Sequence, residues 1–284
     1  EKAIDYFKAA LKVQNRKDTP TDWAETQGRL GLAYADYAGY VRQARSDYLE
    51  KAIVCYLAAL NVYTQNDYPE GWAWIQKHLG GVYMDRIEEE RAENIEDAIE
   101  CYLDALKVRT KKVNPEKWAK TKIDLGIAYR HRIRYSKVQN LQNSISCFLD
   151  ALDIYTQENS PEYWSIIQHN LGNTCLSFAQ YKPNLREIIV TKEERKNKLE
   201  QAIKGFLAAS QEYIRLGYSK TKRWAILQTC LGSAYIYRSE NVENIEISLK
   251  DIETAIGYLL EALDVFKHLK MSDDWANVQN SLGC

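Results

Sequence analysis

The chain has 284 residues, of which 45% are hydrophobic and 27% are charged. Its formal net charge of −1 disfavours a dedicated nucleic-acid binder, which usually carries a basic excess. No run of eighteen apolar residues occurs, so we expect no membrane-spanning helix and no membrane partner.

Two helical patterns alternate along the chain. Pattern A contains a Trp followed seven residues later by Leu-Gly, and pattern B contains Ala, an aromatic residue four positions on, and a small residue three further. A recurrence at this period is typical of a solenoid, in which the repeated residues hold the units together. We therefore interpret the tryptophans and glycines of pattern A as structural; they are Trp23 and Gly31, Trp72 and Gly80, Trp118 and Gly126, Trp164 and Gly172, Trp224 and Gly232, and Trp275 and Gly283.

The chain opens at Glu1 inside a pattern B helix and stops at Cys284, just after the last Leu-Gly. From the last residue of pattern B to the next Trp is 12 residues in five of six cases, so the turn between repeats is nearly constant. We predict an all-α, right-handed α-solenoid of about twelve helices. It forms one repeat domain over residues 1–284, with partial repeats at both ends, and is a fragment of a longer protein.

The turn inside a repeat varies, and its longest form covers residues 178–198. This insertion includes Lys182-Pro183-Asn184 and the charged run at residues 192–196. Insertions in solenoids usually emerge at one edge and can be functional, whereas a solvated loop or a helix extension is the simpler interpretation.

Three cysteines, Cys55, Cys101 and Cys147, are 46 residues apart and so occupy one position in three successive repeats. Tyr6 and Gly205 take that position elsewhere, which favours a packing role for the thiols. No CxxC spacing accompanies them, so we predict no metal site and no cofactor. Reduced thiols suggest a cytoplasmic protein.

Leu79-Gly80, Tyr83, and then Ala98, Tyr102 and Ala105 resemble the tetratricopeptide repeat (TPR). The standard unit of that family has 34 residues, whereas the shortest spacing here is 46, so both helices are expected to be longer. The extended unit resembles the repeats that precede caspase-like CHAT peptidases or other signalling domains in bacteria. The resemblance implies an attached effector domain outside this chain.

Catalytic constellations are scarce. The four histidines show no HExxH spacing, and neither a P-loop nor a GxGxxG motif occurs. A Cys–His dyad assembled from distant residues stays open, although each candidate cysteine lies in a repeat position, where packing is the better explanation. We predict that the chain is not an enzyme.

Charge distinguishes one repeat from the others. Residues 107–137 contain eleven Lys or Arg and two acidic residues, whereas residues 85–100 contain eight acidic residues and two Arg. Either the two blocks pair with each other or face solvent, or the basic block attracts an acidic partner.

The TPR resemblance also implies that pattern A helices line a concave binding face. Aligned on Leu-Gly, the register places Ile123 and Leu176 on that face beside more polar residues. The candidate partner-binding residues are Trp74, Lys77, Lys120, Arg130, His131, His169 and Asn173. A Gln recurs four residues after most of the tryptophans, which favours a structural hydrogen bond over a ligand.

We therefore expect a non-catalytic interaction or regulatory scaffold. It binds a protein or peptide segment on the concave face, and this segment is acidic if the basic block attracts it. Alternatively, it controls the attached effector domain. One alternative is a structural solenoid that assembles head to tail. A less favoured alternative is nucleic-acid binding through the basic third repeat.

Overall fold

The computed structural model describes residues 1–86, 90–182 and 190–283. Within these residues it contains twelve α-helices and no strand, which confirms the all-α prediction of about twelve helices. None of these helices combines the length and apolarity needed to cross a membrane. The helices are α1 (Lys2–Ala10), α2 (Pro20–Ala38), α3 (Arg45–Leu60), α4 (Pro69–Asp85), α5 (Arg91–Val108), α6 (Pro115–His131), α7 (Lys137–Leu152), α8 (Pro161–Gln180), α9 (Lys192–Arg215), α10 (Lys222–Glu240), α11 (Ile245–His268) and α12 (Ser272–Leu282).

The helices divide into two compact units, residues 1–135 and residues 136–284. In unit 1, α2 packs on α3 and α4 packs on α5, and each pair joins a pattern A helix to the pattern B helix that follows it. In unit 2, α8 packs on α9 and α10 packs on α11 in the same way. A repeat solenoid requires contacts between consecutive helices, and these contacts are present within each unit. The right-handedness of the superhelix stays a prediction.

Pattern A helices also contact each other. In unit 1, α4 touches both α2 and α6, and in unit 2, α8 touches α10. We call α2, α4 and α6 the helix-A layer of unit 1, and α8 and α10 the helix-A layer of unit 2. These layers carry most of the residues singled out from the sequence.

The pattern A glycines are close-approach points between the two helices of a repeat. A Cβ atom on Gly80 would lie 2.8 Å from Cε1 of Tyr102, and one on Gly172 would lie 2.6 Å from Cε1 of Phe206. The aromatic residue of pattern B therefore packs directly on the glycine backbone. Tyr56 makes the same contact with Gly31, and Leu259 takes the place of the aromatic residue against Gly232.

The turn between repeats has its own side-chain chemistry. Thr64 Oγ1 accepts a hydrogen bond from the backbone N–H of Asp67, three residues on, and Thr110 does the same for Val113. Such local bonds satisfy backbone donors where no helix can do so. Four pattern A helices then begin at a proline, which is pre-organised for the first turn; these prolines are Pro20, Pro69, Pro115 and Pro161.

The tryptophans of pattern A differ in exposure. Trp224 is buried and Trp275 is 39% exposed. Trp118 is partly buried between two ammonium groups, at 5.7 Å from Lys111 Nζ and 5.5 Å from Lys122 Nζ. Trp23, Trp72 and Trp164 are partly buried as well.

The insertion at residues 178–198 becomes helix on both sides of its centre. Helix α8 runs to Gln180, and the charged run at 192–196 forms the start of α9, where Thr191 and Glu194 make a reciprocal capping box. Residues 183–189 lie outside the described residues. Beside this segment, Phe178 and Val190 form a small apolar cluster with residues of α7. The described part of the insertion is thus largely helix extension.

Candidate functional site

Trp74 and Lys77 lie at contacts between neighbouring A helices of unit 1. The Trp74 ring packs against the backbone of Gly28 on α2 and lies 4.5 Å from the His78 ring, centroid to centroid. Lys77 Nζ is 3.1 Å from an Asp124 carboxylate oxygen on α6. Both side chains are partly buried, so both bind within the helix-A layer.

His78 is neutral in this environment. Burial, with smaller contributions from the positive charges of Lys77 and Arg109, lowers the pKa of His78 to about 3. Its ring stacks on that of Tyr56 at 6.4 Å. The imidazole is therefore a packing group at physiological pH.

A cleft of about 150 Å³ opens beside the C-terminal ends of α4 and α6. Tyr83, Met84 and Ile95 supply its apolar part. Arg86 and Arg91 supply its cationic part, and the His131 imidazole also lines it. His131 is one of the candidate partner-binding residues. Lys120 and Arg130, which precede it on α6, are also partly exposed.

His169 and Asn173 are partly exposed on α8 of unit 2. His169 Nε2 lies 3.6 Å from the Sγ atom of Cys230 on α10, and its ring meets Phe206 edge-on at 6.0 Å. The backbone carbonyl of Asn173 accepts a hydrogen bond from Ser177. The sequence did not point to Cys230, because its proximity to His169 depends on how two helices pack.

These placements share a register. Lys77 and His169 both lie three residues before their pattern A glycine, and Asp124 and Cys230 both lie two residues before theirs. We call the meeting of these two positions on adjacent A helices the inter-repeat contact. In both units, the residue three positions before the glycine therefore faces the next A helix along the chain.

The placement of Ile123 and Leu176 on an open face was wrong. Ile123 is 7% exposed and Leu176 is 8% exposed, so both belong to the core. The physical reason is that A helices pack side by side, which buries positions that an isolated helix pair would expose. Whether the seven candidate residues bind a partner stays a prediction.

Acidic and basic residues pair across the repeats of unit 1. Arg132 donates to Glu96 at 2.8 Å, and Arg134 lies 3.0 Å from Glu93. Including contacts of Lys107, Arg109 and Lys117 with Asp104 and Glu70, at least five of the eleven basic residues at 107–137 form ion pairs. Acidic residues of the preceding repeat therefore compensate Lys117, Arg132 and Arg134, and acidic residues of their own repeat compensate Lys107 and Arg109.

Arg109 is the most buried member of this block, at 4% exposure. Its guanidinium donates to Glu70 at 2.8 Å, and Lys117 Nζ lies 2.7 Å from the same carboxylate oxygen. Burial alone would raise the pKa of Glu70, but the hydrogen bonds from Lys117 and Arg109 hold it below its ordinary value. A buried guanidinium needs such a partner.

The recurrent glutamine makes a hydrogen bond to its own repeat. Gln76 donates to Asp104 of α5 at 3.4 Å, and Gln228 donates to Glu261 of α11. Gln228 also accepts from Ser210 at 3.1 Å. The structural interpretation of this glutamine therefore holds in these two repeats.

The five cysteines of the described residues are free thiols. Burial raises the pKa of Cys55 and of Cys175 to about 11 and that of Cys101 to about 12, which makes these thiols unreactive. In the same residues, no group of three or more His, Cys, Asp or Glu side chains is arranged to hold a metal ion.

No protein-family model matches this chain, and a search of curated proteins finds no match. Among solved structures, the chain is similar to one described as a circular tandem repeat protein with novel repeat topology and enhanced subunit contact surfaces. That similarity has 13% identity and a TM-score of 0.35, and it covers 98% of this chain and 68% of the other. The likeness is too weak to carry an argument about function. The chain's own described helices, paired repeat by repeat, identify it as a helical repeat array.

Proposed function

We propose that the chain is a non-catalytic interaction module that binds a protein segment on the helix-A layer. The supporting observation is the contiguity of this layer: α2, α4 and α6 touch in series, so one extended segment could cross several repeats. Solenoids use such surfaces for binding. The residues that hold the repeats together recur, whereas the partly exposed residues of the layer differ from repeat to repeat.

The cleft beside His131 favours an acidic segment. Arg91 flanks it together with Arg86, which also pairs with Glu50 at 2.7 Å, and Lys120 and Arg130 precede it along α6. An acidic side chain could meet these cations while an apolar neighbour contacts Tyr83. The compensation of Arg132 and Arg134 by Glu96 and Glu93 leaves fewer cations for phosphates, which disfavours nucleic acid.

Charge reversal tests this site. We would compare the wild-type chain with a Lys120→Glu, Arg130→Glu double variant, using fluorescein-labelled acidic and neutral peptides. The matched control is Lys112→Glu, which changes an exposed charge in the turn before α6. We expect acidic peptides to bind about tenfold more weakly to the double variant at low salt, with the difference shrinking as salt rises. Equal binding by all three proteins would refute the site.

The TPR and CHAT resemblance supports a regulatory setting. In this proposal the repeats belong to a bacterial cytoplasmic signalling protein and control an attached effector domain. The five free thiols suit a reducing compartment. The open reading frame that encodes the chain tests this directly: a neighbouring sequence without a caspase-like His and Cys pattern would contradict the CHAT assignment.

A second candidate function is head-to-tail assembly, favoured by an apolar stripe on α11. Ile252 and Ile256 are 40% and 42% exposed, whereas Leu199 and Ile203, at the same positions of α9, are each 4% exposed. The stripe continues along one side of the helix. Its further members are Ile245, Leu249 and Leu260.

The occupant we propose for this stripe is a second copy of the chain, which would place an apolar helix face against Ile252 and Ile256.

Sedimentation over a range of concentrations tests this assembly. We expect the mass of the wild-type chain to rise with concentration and that of an Ile252→Asp, Ile256→Asp variant to stay monomeric. Leu57→Asp, at an exposed leucine of α3, is the matched control and should still associate. A wild-type chain that is monomeric at every concentration would exclude this function.

A further inference from the structure

A cysteine and a histidine from neighbouring A helices meet in unit 2. The Sγ atom of Cys230 on α10 lies 3.6 Å from Nε2 of His169 on α8. Both side chains are partly exposed, so solvent and small molecules can reach them. At this distance the thiol can donate its proton to the imidazole. The pair therefore combines a nucleophile with a proton acceptor.

The other described cysteines lack this combination. Cys55, Cys101, Cys147 and Cys175 are 7%, 8%, 4% and 1% exposed. Buried thiols in apolar surroundings resist ionisation and are chemically inert. Within residues 1–283 as described, Cys230 alone is a partly exposed thiol with a histidine at contact distance.

We propose that Cys230 is a covalent modification site for soft electrophiles such as hydrogen peroxide, with His169 as the proton acceptor. The imidazole takes the thiol proton, and the imidazolium stabilises the thiolate. The sulfur attacks one peroxide oxygen and the O–O bond breaks. The leaving hydroxide takes the proton from His169 and departs as water. The thiol is oxidised to a sulfenic acid, and the peroxide is reduced to water.

Several charged groups on the helices around the pair form ion pairs of their own. Arg223 and Arg238 lie seven and eight residues from Cys230, about 10–12 Å along the helix at ~1.5 Å per residue. Ion pairs on the surrounding helices join Arg223 to Glu162, Lys222 to Asp274, Arg238 to Glu200 and Asp251, and Arg215 to Glu212. Glu261 accepts a hydrogen bond from Gln228, and Lys204 is exposed on α9. Among these groups, His169 is the one seen in contact with the thiol.

The position of the pair gives the modification a structural consequence. It occupies the inter-repeat contact of unit 2, where unit 1 has the ion pair between Lys77 and Asp124. An added oxygen on Cys230 would enlarge the group between α8 and α10. Modification at this point would alter a contact that joins two repeats.

The pH dependence of alkylation tests the activation of Cys230. The full chain would be treated with iodoacetamide across a pH series, native and in denaturant, and each cysteine peptide would be quantified by mass spectrometry. We expect the rate at Cys230 to reach half its maximum at a lower pH in the native chain than in the unfolded chain. Cys175 in the native chain should react at least about 100-fold more slowly. A native midpoint equal to or above the unfolded one would overturn the proposal.

A His169→Gln variant tests the cause. An activated thiol has a larger thiolate fraction, but its thiolate is a weaker nucleophile, so the two effects partly cancel. We therefore expect the alkylation rate of Cys230 at pH 7 to fall about threefold in the variant. The midpoint of its pH profile should move to higher pH. The labelling rate of the buried Cys175 reports any loosening of the fold in the variant. If that rate rises, the test rests on the comparison of native and unfolded wild-type chain. A variant with an unchanged Cys230 profile would remove His169 from the proposal. Peroxide followed by dimedone should yield an adduct at Cys230, and its absence there would exclude the oxidation step.

Discussion

Two adjacent glycines in α4 should respond in opposite ways to the same substitution. Alanine is favoured over glycine in a helix by about 0.8–1.0 kcal/mol, so Gly81→Ala, whose nearest neighbour would be 3.9 Å away, should stabilise the chain by up to that amount. At Gly80 the new Cβ would lie 2.8 Å from the Tyr102 ring and 3.1 Å from the carbonyl oxygen of Ala98. Tyr102 is 3% exposed and cannot move away. Overpacking costs about 1–3 kcal/mol, which leaves a net loss of about 1 kcal/mol and separates the variants by about 2 kcal/mol.

Urea unfolding followed by circular dichroism would measure this difference. Gly257→Ala, where the new Cβ has no neighbour within 4 Å, is a further control in unit 2 and should also stabilise. Hydrogen exchange would locate the effect of Gly80→Ala in α4 and α5. If Gly80→Ala is as stable as Gly81→Ala, the close contact between glycine and aromatic ring does not limit packing, and the explanation of the repeat signature fails.

Two further predictions concern pH. Because the pKa of His78 is lowered to about 3, stability should fall by ~1.4 kcal/mol per pH unit as the pH drops below about 6.5, the unfolded value, a loss of about 2 kcal/mol by pH 5. Urea titrations from pH 7 to 5 should show a shallower decline for His78→Phe, and parallel curves would contradict this. Glu70→Gln should lower the free energy of unfolding by about 1–2 kcal/mol at pH 7, because it removes the charge opposite the buried Arg109. The loss is no larger because Glu70 itself is half exposed and solvent screens its charge. Since the pKa of Glu70 is lowered, that difference should be fully present above the ordinary carboxyl pKa of 4.5 and should be lost as the pH falls through the lower pKa of the folded chain. Lys117→Met, which removes only the more exposed partner, should cost less.

The local part of this fold was predictable because its causes are local. The seven-residue step from Trp to Leu-Gly and the spacing of Ala and aromatic residues each describe one face of one helix. Gly80 and Tyr102 could therefore be expected to meet once their helices were recognised as a pair. The structural role of Gln76 and Gln228 followed in the same way from their recurrence.

The contacts between A helices were not predictable from these patterns. Lys77 and Asp124 are 47 residues apart, and whether they meet depends on the angle and spacing of α4 and α6. The TPR register assumed an open face at Ile123, whereas the side-by-side packing of A helices buries it. The pairing of His169 with Cys230 was missed for the same reason.

The inter-repeat contact suggests how one scaffold accommodates different chemistry. Packing requires that the two positions touch, but unit 1 meets this with an ion pair and unit 2 with a thiol and an imidazole. If the inter-repeat contact requires only that the two side chains touch, the Lys–Asp pair of unit 1 should also work at positions 169 and 230 of unit 2. We expect His169→Lys with Cys230→Asp to retain the stability of the wild-type chain within about 1 kcal/mol, and each single variant to lose more. A double-mutant cycle by urea unfolding would show favourable coupling between the two substitutions. Additive losses would mean that unit 2 specifically requires its thiol and imidazole.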